Sequence, residues 1–574
     1  MKLRSLAWLV LLLAWSCAPA QAEIAGGATP ATIADQSHIS SGGLGTCAVT
    51  ASAEVQCWGE GYDGQLLSGS EQDLGDDPGE GPAPIFLGRG VKVASVSYAS
   101  SHACAVDIAG AVFCWGRNIY GQLGNDARGN STGDAPGERA VRVPIAPATQ
   151  VATGDEHSCA LLVGGSITCW GGNVGGQLGR GSADDSGDAP GPVDLGGATA
   201  TSIAARGAHT CVLLTTHEMR CWGSNGFGES GTVPASLSES IGDQPGEKPV
   251  KPTVLPVSTQ LDLPVAMALG RQFTCVITGA GDVRCWGRGS GGALLTGNQN
   301  TIGDTPGEMA VTMAIGGKAK AIAAGSSSAC ALRTDGELRC WGDNTEGMLG
   351  TGMLGNNWGD QLGETTALAV PLGSGRSAAA ISIGIRHMCA LLTTGEPLCW
   401  GESEDGEWGT GEEGGNNVKA QDRKPVAFSG ALADGDGDGL PDRFDACPTQ
   451  SAPTDDGCPL PVITAPPTPA PPVTQPPAST WPVQLSAKKV TFDVLLVPKG
   501  KTCPSKAELK IRVELKTKLT KTITLKKSGK GKTLRCRAKG SVTLKKAPDG
   551  GALVTAKFTA KGVKGQTVVA ERVA

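Results

Sequence analysis

Short apolar segments bounded by glycine recur along roughly the first 430 residues of the chain, and the clearest of them form a pair around a turn. In CALRTDGELRC (330–340), antiparallel pairing of the two cysteines brings the two leucines opposite each other and leaves Thr-Asp-Gly as a three-residue turn. The third position of such a turn favours a left-handed backbone, which glycine adopts without strain. The pattern therefore predicts a β-hairpin.

The hairpin unit occurs seven times. Its cysteines are always separated by nine residues, Trp-Gly always follows the second cysteine, and successive units start 52 to 64 residues apart. This repetition indicates an array of supersecondary modules. Glycine fills the third turn position in five units, whereas the other two have Ala53 and His217 there. The pairs are Cys47 and Cys57, Cys104 and Cys114, Cys159 and Cys169, Cys211 and Cys221, Cys275 and Cys285, Cys330 and Cys340, and Cys389 and Cys399.

The placement of the cysteines predicts one disulfide bond within each hairpin. Directly opposed residues at a non-hydrogen-bonded antiparallel pair have Cα atoms about 4.5 Å apart, which is within reach of a disulfide. Each bond is expected to add about 2–3 kcal/mol to the free energy of unfolding. A metal site is the alternative, but a separation of nine residues is longer than that within a zinc knuckle.

The sequences flanking each hairpin also repeat and complete about four short strands per unit. A strand-like segment ending in a glycine step precedes the hairpin, as in VATGDEHSC, and a turn with a short strand follows, as in CWGRNIYGQLG. Seven four-stranded sheets at this period predict an all-β, seven-bladed β-propeller over residues 33–432. Such a ring must close, and we expect the segment Pro425 to Phe428 to complete the sheet that begins near Ile33.

The repeated pattern resembles a known repeat family. His-Thr/Ser-x-Ala-Leu, followed by Gly-x-x-x-x-Trp-Gly-x-Asn-x-x-Gly-Gln-Leu-Gly, is similar to the regulator of chromosome condensation repeat, whose members form seven-bladed propellers. The hairpin cysteines and a set of inserts depart from the nuclear members. Their nuclear role, nucleotide exchange on the small GTPase Ran at chromatin, is therefore not expected here. A secreted β-lactamase inhibitor is also similar to this family, which makes extracellular protein binding the implied function.

Six units carry an insert of one type, Gly-Asp-x-Pro-Gly-Glu or a close variant. One interpretation is a ring of carboxylates on one propeller face that attracts a cation or a basic partner. The other, which we favour, is turn chemistry in which aspartate caps the turn and Pro-Gly sets its dihedral angles. The six aspartates, which are the candidate binding-face residues, are Asp76, Asp134, Asp188, Asp243, Asp304 and Asp360.

Residues that recur once per unit are expected to be structural. The tryptophan of each Trp-Gly is expected to pack between blades rather than form a ligand cage. Four histidines lie two residues before the first cysteine of a unit and are expected to make polar contacts: His102, His157, His209 and His387. The sequence contains no serine-hydrolase, zinc-protease or phosphate-loop motif, so no catalytic residue is assigned. A propeller lyase or hydrolase is the alternative, and its site would use residues that break the repeat, such as Tyr62, Tyr120, Trp358 and Trp408.

The first 22 residues have the pattern of a secretory signal peptide. Lys2 and Arg4 precede the apolar run LAWLVLLLAWSCAPA, and a small-x-small cleavage site ends at Ala22. Lipidation of Cys17 is the alternative. Export would place the remaining cysteines in an oxidising compartment, so we expect the protein outside the cell, on its surface or in the periplasm. No later segment of the sequence is long and apolar enough to span a membrane.

The stretch DGDGDGLPDRFDACP follows the array and suits Ca²⁺ binding. Oxygen ligands at the first, third, fifth, ninth and twelfth positions, with Gly439 at the sixth, match a calcium loop. The stretch resembles the thrombospondin type 3 repeat, which implies a calcium-binding connector over residues 433–459 and a disulfide between Cys447 and Cys458. An acidic solvated linker is the alternative. The expected ligands are Asp434, Asp436, Asp438, Asp442 and Asp445.

The chain beyond this motif differs in character from the array. Residues 460–482 are proline-rich and are expected to form a semi-rigid linker. Residues 485–574 alternate apolar positions with Lys or Thr, which predicts a small β-sandwich, and Cys503 and Cys536 supply a ninth pair. This segment holds 23 Lys or Arg and 5 Asp or Glu, a balance of +18, so the other residues sum to −24. We expect its lysines to contact an anionic envelope polymer, and the alternative is that they only keep the strands soluble and protect their edges.

With 85 glycines and 4% aromatic residues, the composition also favours a turn-rich, all-β protein of more than one domain. Together these features predict a secreted or surface-located, non-enzymatic binding protein. The loop face of the propeller would recognise a protein or glycan, and the basic domain would contact an anionic surface. An inhibitor of a secreted enzyme is a further alternative.

Overall fold

The structure is a computed structural model of the 574-residue chain. It describes residues 38–429 except 127, 130, 183–188, 237–238, 256 and 413–418, four single positions between 434 and 449, and the backbone of strands between 484 and 572. The chain divides into two compact units, Met1–Pro461 and Val462–Ala574. The predicted signal peptide, the proline-rich linker and most of the calcium motif lie outside the described residues.

The first unit contains seven antiparallel sheets in succession, which confirms the predicted all-β, seven-bladed propeller. Six blades have four strands and the seventh has three, always in chain order from one edge of the sheet to the other. Three short 3₁₀ helices, Gln260–Asp262, Ser290–Gly292 and Ala420–Asp422, lie in the connections.

The strands of blades 1 to 4 are β1 (Ile39–Ser41), β2 (Gly45–Val49), β3 (Val55–Gly59) and β4 (Ala83–Ile85); β5 (Val93–Tyr98), β6 (His102–Asp107), β7 (Val112–Gly116) and β8 (Val141–Arg142); β9 (Ala148–Thr153), β10 (His157–Leu162), β11 (Ile167–Gly171) and β12 (Gly191–Pro192); β13 (Ala200–Arg206), β14 (His209–Leu214), β15 (Met219–Ser224) and β16 (Ser240–Ile241). Those of blades 5 to 7 are β17 (Pro264–Leu269), β18 (Phe273–Thr278), β19 (Val283–Gly287) and β20 (Val311–Thr312); β21 (Ala319–Ala324), β22 (Ser328–Arg333), β23 (Leu338–Gly342) and β24 (Leu368–Ala369); β25 (Ala378–Ile383), β26 (His387–Leu392) and β27 (Pro397–Gly401).

The second and third strands of every blade form the hairpin that carries the cysteines. The two cysteines are directly opposed in all seven hairpins, and each pair forms a disulfide with a Cα–Cα distance of 4.0–4.1 Å. The turn glycines have positive φ, as at Gly336 (90°). Ala53 (61°) and His217 (60°) adopt the same left-handed conformation. These two residues pay about 1 kcal/mol each for it because their Cβ atoms crowd the backbone.

The hydrophobic core is divided among the seams between neighbouring blades. Between blades 2 and 3, Val106, Val112 and the disulfide Cys104–Cys114 pack against Val151 and Trp170. All fourteen cysteines of the hairpins are at most 2% exposed. The disulfides therefore lie inside the seams rather than at the rim of the propeller.

The ring closes in a different way from the one predicted. Blade 1 is complete within β1–β4, so no strand from the end of the array enters its sheet. The segment that includes Val426 lies instead at the outer edge of blade 7, where the Val426 N–H donates to the carbonyl of Pro397 over 2.7 Å. Side chains then join the ends of the array: the Ser429 N–H donates to Gln56 Oε1 (2.9 Å), and Gln56 Nε2 donates to the Ser429 carbonyl (2.8 Å).

The second unit contains the backbone of eight strands in two antiparallel sheets. The strands are β28 (Gln484–Ser486), β29 (Lys489–Leu496), β30 (Lys506–Val513), β31 (Thr517–Thr524), β32 (Lys526–Ser528), β33 (Arg535–Thr543), β34 (Leu553–Thr559) and β35 (Gln566–Arg572). One sheet has the order β28-β29-β33-β32 and the other β31-β30-β34-β35. Their packing as a basic sandwich, and the Cys503–Cys536 pair, stay predictions. No helix in the described parts of the chain has the length and apolar character that crossing a membrane requires.

Candidate binding face

The loops of the propeller fall into two sets at its two ends. Since neighbouring strands are antiparallel, the hairpin turns and the connections between blades share one end, which we call the turn face. The loops from first to second strand and from third to fourth strand share the other end. The inserts lie at this second end; in blade 4 the insert follows β16 and precedes the bridge between Cys221 and Val250, which takes the place of the fourth strand of the other blades. We therefore call this end the insert face.

Glutamate caps the inserts, not the aspartate that we predicted. Glu138 Oε2 accepts hydrogen bonds from the backbone N–H groups of Gly133 (2.8 Å) and Ala135 (3.0 Å). Aspartate was the wrong choice because the glutamate at the end of the insert is long enough to reach back to both N–H groups at its start. The same pair of bonds, at 2.8–3.4 Å, is made by Glu80, Glu247, Glu308 and Glu364.

The insert aspartates are half-buried beside these glutamates. Burial raises the pKa of Asp134 and Asp243, and the neighbouring glutamate raises it further. Burial opposes ionisation of Glu138 and Glu247 as well, but the backbone N–H donors outweigh it and lower their pKa. Asp188 lies outside the described residues. Across the described residues, no three His, Cys, Asp or Glu side chains are placed to bind a metal ion. A ring of carboxylates that attracts a partner stays a prediction.

The inserts also join neighbouring blades. The backbone N–H of Gly69 in blade 1 donates to the carbonyl of Gly133, the first residue of the blade 2 insert, over 2.9 Å. Equivalent bonds run to the first glycine of three other inserts, from Ser182 to Gly242, from Gly297 to Gly359 and from Gly411 to Gly75. The inserts are therefore part of the framework of the insert face, and their shared sequence has a structural explanation.

Each Trp-Gly tryptophan is buried and donates to a carbonyl of the preceding blade. The residue that accepts is always in the loop after the third strand, and the ring of bonds includes the step from blade 7 back to blade 1. The Nε1–O distances are 3.0 Å for Trp58–Glu407, 2.9 Å for Trp115–Gln65, 2.8 Å for Trp170–Gln122, 2.8 Å for Trp222–Gln177, 3.1 Å for Trp286–Glu229, 2.9 Å for Trp341–Ala293 and 2.7 Å for Trp400–Met348.

The four recurring histidines make polar contacts between blades, in keeping with a structural role. Each Nε2 atom lies within hydrogen-bond distance of a Ser or Thr hydroxyl of the following blade. The distances are 2.8 Å for His102–Ser158, 2.7 Å for His157–Thr210, 3.1 Å for His209–Thr274 and 2.8 Å for His387–Thr46.

These contacts define the protonation of two histidines. Ser158 Oγ donates to the carbonyl of Gln122, so the bond to His102 must use a proton on Nε2. The same holds for His209, since Thr274 Oγ1 donates to the carbonyl of Glu229. Burial lowers the pKa of His102, His157 and His387 to about 3 and that of His209 to about 4. The neutral imidazoles therefore act as fixed donors at neutral pH.

A central channel passes between the first strands of the blades and encloses about 480 Å³. At the insert face, seven blades each contribute loop residues to its mouth. Arg206 of blade 4 spans this mouth and donates to the carbonyl of Ser41 in blade 1 over 3.1 Å. Arg271 pairs with Asp155 beside it at 3.3 Å. Side chains therefore cross the mouth of the channel. The loop tips around the mouth form the more open part of the insert face.

The aromatic residues that break the repeat are spread over four blades. Trp358 and Trp408 donate to the carbonyls of Thr366 (2.8 Å) and Gly401 (3.0 Å), and the guanidinium of Arg423 lies 3.0 Å from the centroid of the Trp408 ring. Tyr62 and Tyr120 belong to loop tips of blades 1 and 2 on the insert face, and Tyr62 is 68% exposed. Structural contacts account for the two tryptophans, while the tyrosines are available for binding.

The predicted calcium motif is described only in part. Asp434 lines a groove of about 280 Å³ beside blade 1, together with Leu87 and Lys92. Asp436 is also described, whereas Asp438, Asp442, Asp445 and the pair Cys447–Cys458 lie outside the described residues.

Comparisons with known proteins place the repeats in one family. The model of the "Regulator of chromosome condensation (RCC1) repeat" matches residues 93–122, 148–177, 200–229, 265–293 and 319–347, and a second model of the same repeat matches residues 109–161. The Ultraviolet-B receptor UVR8 of Arabidopsis thaliana is 26% identical over 377 residues, which are 65% of this chain and 78% of that protein. The E3 ubiquitin-protein ligase HERC2 of Homo sapiens is 29% identical over 319 residues, 55% of this chain but 5% of that protein.

The solved structure of human WBSCR16 agrees on the fold. Human WBSCR16 superposes with a TM-score of 0.53 at 18% identity, covering 66% of this chain and 96% of the human one. Prp20p of Saccharomyces cerevisiae gives a TM-score of 0.48 at 20% identity and covers 60% of this chain and 80% of the yeast one. The chain therefore carries RCC1 repeats folded as a seven-bladed propeller.

Proposed function

We propose that this array of RCC1 repeats is an exported binding protein that recognises a partner protein with its insert face. Propellers of this repeat are generally binding proteins rather than catalysts, and the matched relatives include a receptor. A stable scaffold with variable loop tips suits recognition, because binding residues are commonly carried by loops on a rigid frame.

The observation that carries the proposal is the construction of the insert face. Much of its framework recurs: glutamate caps are present in five blades, bonds to insert glycines at four seams and tryptophan bonds at all seven. The tips that this framework supports differ in every blade. Tyr62 and Val174, for example, are 68% and 71% exposed. Tyrosine is one of the residues that most often anchor a protein interface, and other exposed apolar side chains add buried surface around such an anchor.

Export is part of the proposal, and the disulfides support it. Seven cystines in one chain suit an oxidising compartment. We further propose that Asp434, Asp436, Asp438, Asp442 and Asp445 bind Ca²⁺ and that the basic residues of 485–574 contact an anionic envelope polymer. Calorimetry of the full chain with Ca²⁺ should show one site that is absent from the Asp436→Ala, Asp438→Ala double variant. Titration without heat in the parent chain would contradict the calcium proposal.

The binding face is tested by capture from exported proteins with the full chain as bait. The insert-face variant Tyr62→Ser, Val174→Ser should lose the captured partner. The matched turn-face variant Ile108→Ser, Val163→Ser removes two side chains of similar exposure, 74% and 66%, and should keep it. Loss in the turn-face variant alone would assign binding to the other face. Conversion of a small molecule by the purified chain would instead favour the propeller lyase or hydrolase.

A further inference from the structure

Carboxylates at the loop tips of the insert face are concentrated in three consecutive blades. After each Trp-Gly, the first, third and fourth residues form the edge and tip of the loop that follows the third strand. Blades 2 to 5 have no carboxylate at these positions, and blades 2 and 5 have Arg117 and Arg288 there. Blades 6, 7 and 1 have seven carboxylates, which we call the acidic sector: Asp343, Glu346, Glu402, Glu404, Asp405, Glu60 and Asp63.

The loop of blade 7 that carries three of these carboxylates packs against blade 1 at the seam that closes the ring, where the N–H of Gly411 donates to the carbonyl of Gly75 over 3.0 Å. Burial raises the pKa of Glu60, and the charges of Asp405, Asp73 and Asp63 raise it further. Burial likewise raises the pKa of Asp405, with added contributions from Asp73 and Glu404. Arg386 pairs with Glu402 at 2.8 Å. Burial raises the pKa of Glu402 despite Arg386, and the charge of Glu346 in blade 6 adds to the shift. Like charges from all three blades therefore contribute to one field of negative charge.

A second observation is that two buried carboxyl groups of blade 7 each have an oxygen without a hydrogen-bond partner. In blade 1, Gln65 Nε2 donates to Glu60 Oε2 over 3.3 Å. The equivalent residues of blade 7 are Glu407 and Glu402, so a carboxyl group stands where the repeat has an amide donor. Both side chains are buried, with residues 0% and 3% exposed, and Glu407 Oε1 and Glu402 Oε2 have no hydrogen-bond partner. The backbone N–H of Asp405 donates to Glu407 Oε2 over 3.0 Å, so the carboxyl group of Glu407 lies against the loop tip that carries Asp405.

Apolar tips continue the sector around the ring. Next to Asp63 is Tyr62, 68% exposed, and the corresponding tips of blades 2 and 3 carry Ile119 (45%) and Val174 (71%). A ligand that follows this arc meets negative charge first and apolar side chains next. This order of chemistry fits a polypeptide whose Lys or Arg residues precede apolar ones, because cations are attracted by the field and apolar side chains gain from burial.

We propose that the acidic sector and the apolar tips of blades 1 to 3 together bind a basic segment of the partner protein, with Lys or Arg over blades 6, 7 and 1 and apolar anchors over Tyr62, Ile119 and Val174. The proposal rests on the proposed function and specifies the chemistry of its partner. Divalent cations are a competing occupant of any carboxylate cluster, so the test includes them.

The test uses the full chain and a fluorescent peptide of four lysines followed by Leu-Phe-Leu, measured by anisotropy at 30 and 150 mM NaCl. The sector variant Asp63→Asn, Glu404→Gln, Asp405→Asn should weaken binding at least tenfold at low salt. The matched control Asp134→Asn, Asp243→Asn, Asp304→Asn removes three insert carboxylates from blades 2, 4 and 5 and should change it less than twofold. Tyr62→Ser should weaken binding about fourfold and preserve its salt dependence, and a peptide with Glu in place of Lys should not bind.

Three results would overturn the proposal. Equal weakening by the sector and control variants would show attraction by net charge alone. Stoichiometric Ca²⁺ binding that displaces the peptide and is lost in the sector variant would assign the site to a metal. The third result is a partner that is captured through the insert face and binds the sector variant as well as the parent chain. That result would leave the proposed function intact and remove this inference. Single Glu404→Gln, at an exposed position, provides the same comparison if the triple variant is destabilised.

Discussion

The seam between blades 2 and 3 and the seam that closes the ring between blades 7 and 1 use the same bonds in different settings. Tryptophan donates to a carbonyl of the preceding blade in both, from Trp170 at 2.8 Å and from Trp58 at 3.0 Å. Histidine contacts a hydroxyl at 2.8 Å in both, from His102 and from His387. The chain itself runs on from blade 2 to blade 3, whereas blades 7 and 1 are held by non-covalent contacts alone, which include the backbone bonds from Gly411 to Gly75 and from Ile385 to Gly43.

The two seams also differ in how the polar groups are satisfied. At the seam of blades 2 and 3, the hydroxyl of Ser158 donates a hydrogen bond to the carbonyl of Gln122 in the preceding blade. At the closing seam, Thr46 donates to Ser41 within its own blade, and Glu407 replaces the glutamine. One repeated design can therefore hold both kinds of junction, but the closing one lacks a covalent chain connection and contains a buried carboxyl group, that of Glu407.

Acid is expected to have the largest effect and to act on both seams. An unfolded histidine titrates near pH 6.5, while the four buried ones have a pKa of about 3 to 4. Their contribution is complete above pH 6.5 and is lost as the pH falls towards 3, because the unfolded chain then binds protons that the folded chain does not. At pH 5 the loss is about 2 kcal/mol for each histidine, or about 8 kcal/mol in all.

Urea unfolding at pH 7.5 and pH 5 measures this loss. His102→Gln keeps a donor for Ser158 but does not titrate, so it should remove about a quarter of the difference between the two pH values. An unchanged difference in this variant would show that the acid sensitivity arises elsewhere.

Removal of one tryptophan distinguishes the seams most directly. Trp58→Ala and Trp170→Ala each delete a fully buried side chain and should lower the free energy of unfolding by about 3–5 kcal/mol. Only Trp58→Ala should also open the ring, because no chain connection holds blades 7 and 1 together. Calorimetry should then show a broadened or divided transition for Trp58→Ala and a single one for Trp170→Ala. Transitions of the same shape would indicate that the closing seam is no weaker than the others.

An exchange of Glu407 and Gln122 sharpens the comparison. Burial raises the pKa of Glu407 to about 8, above its ordinary value of 4.5. The folded chain therefore keeps a proton that the unfolded chain releases, and stability falls as the pH rises from 4.5 to 8. Glu407→Gln should raise the free energy of unfolding by about 3 kcal/mol at pH 7, with little change at pH 4. Gln122→Glu should lower it by a similar amount, and denaturant midpoints at the two pH values will show whether both effects have these signs.

The smallest expected effect concerns the contact that is unique to the closing seam. Gln56→Ala removes three hydrogen bonds to Ser429 and should lower the free energy of unfolding by about 1–2 kcal/mol. Thr168→Ala is the matched control, since Thr168 holds the equivalent position in blade 3 and makes one bond within its blade. Hydrogen exchange should increase in β1–β3 and β27 of Gln56→Ala only. Protection equal to that of the parent chain would mean that Ser429 contributes nothing to closure.

Much of this design could be predicted from the sequence, because it repeats. The separation of nine residues between cysteines specifies the register of each hairpin, and a tryptophan that recurs once per blade has to face a neighbouring blade. The hydroxyl partners of the histidines could also have been found. When a blade has the histidine, the residue before the first cysteine of the next blade has a hydroxyl; these residues are Ser158, Thr210, Thr274 and Thr46. When the histidine is absent, that residue has no hydroxyl and is Ala103, Ala329 or Met388.

Other features could not be predicted because they depend on contacts between distant parts of the chain. Nothing local shows that Gln56 meets Ser429, since 373 residues separate them. The choice between Asp134 and Glu138 as the cap required the path of the loop backbone, and both residue types suit a turn. The acidic sector was missed because its members belong to three blades, and only the alignment of the seven tips brings them together.

The locality of the disulfides has a consequence for how such a protein evolves. Each cross-link joins cysteines ten positions apart, so a duplicated repeat brings its own covalent bond and requires no existing pair to change. The histidine contacts are different, because each needs a hydroxyl in the next copy. Gene duplication can therefore change the number of repeats without changing which cysteines pair. Selection for the histidine–hydroxyl contacts, in contrast, constrains which repeat can follow which along the chain.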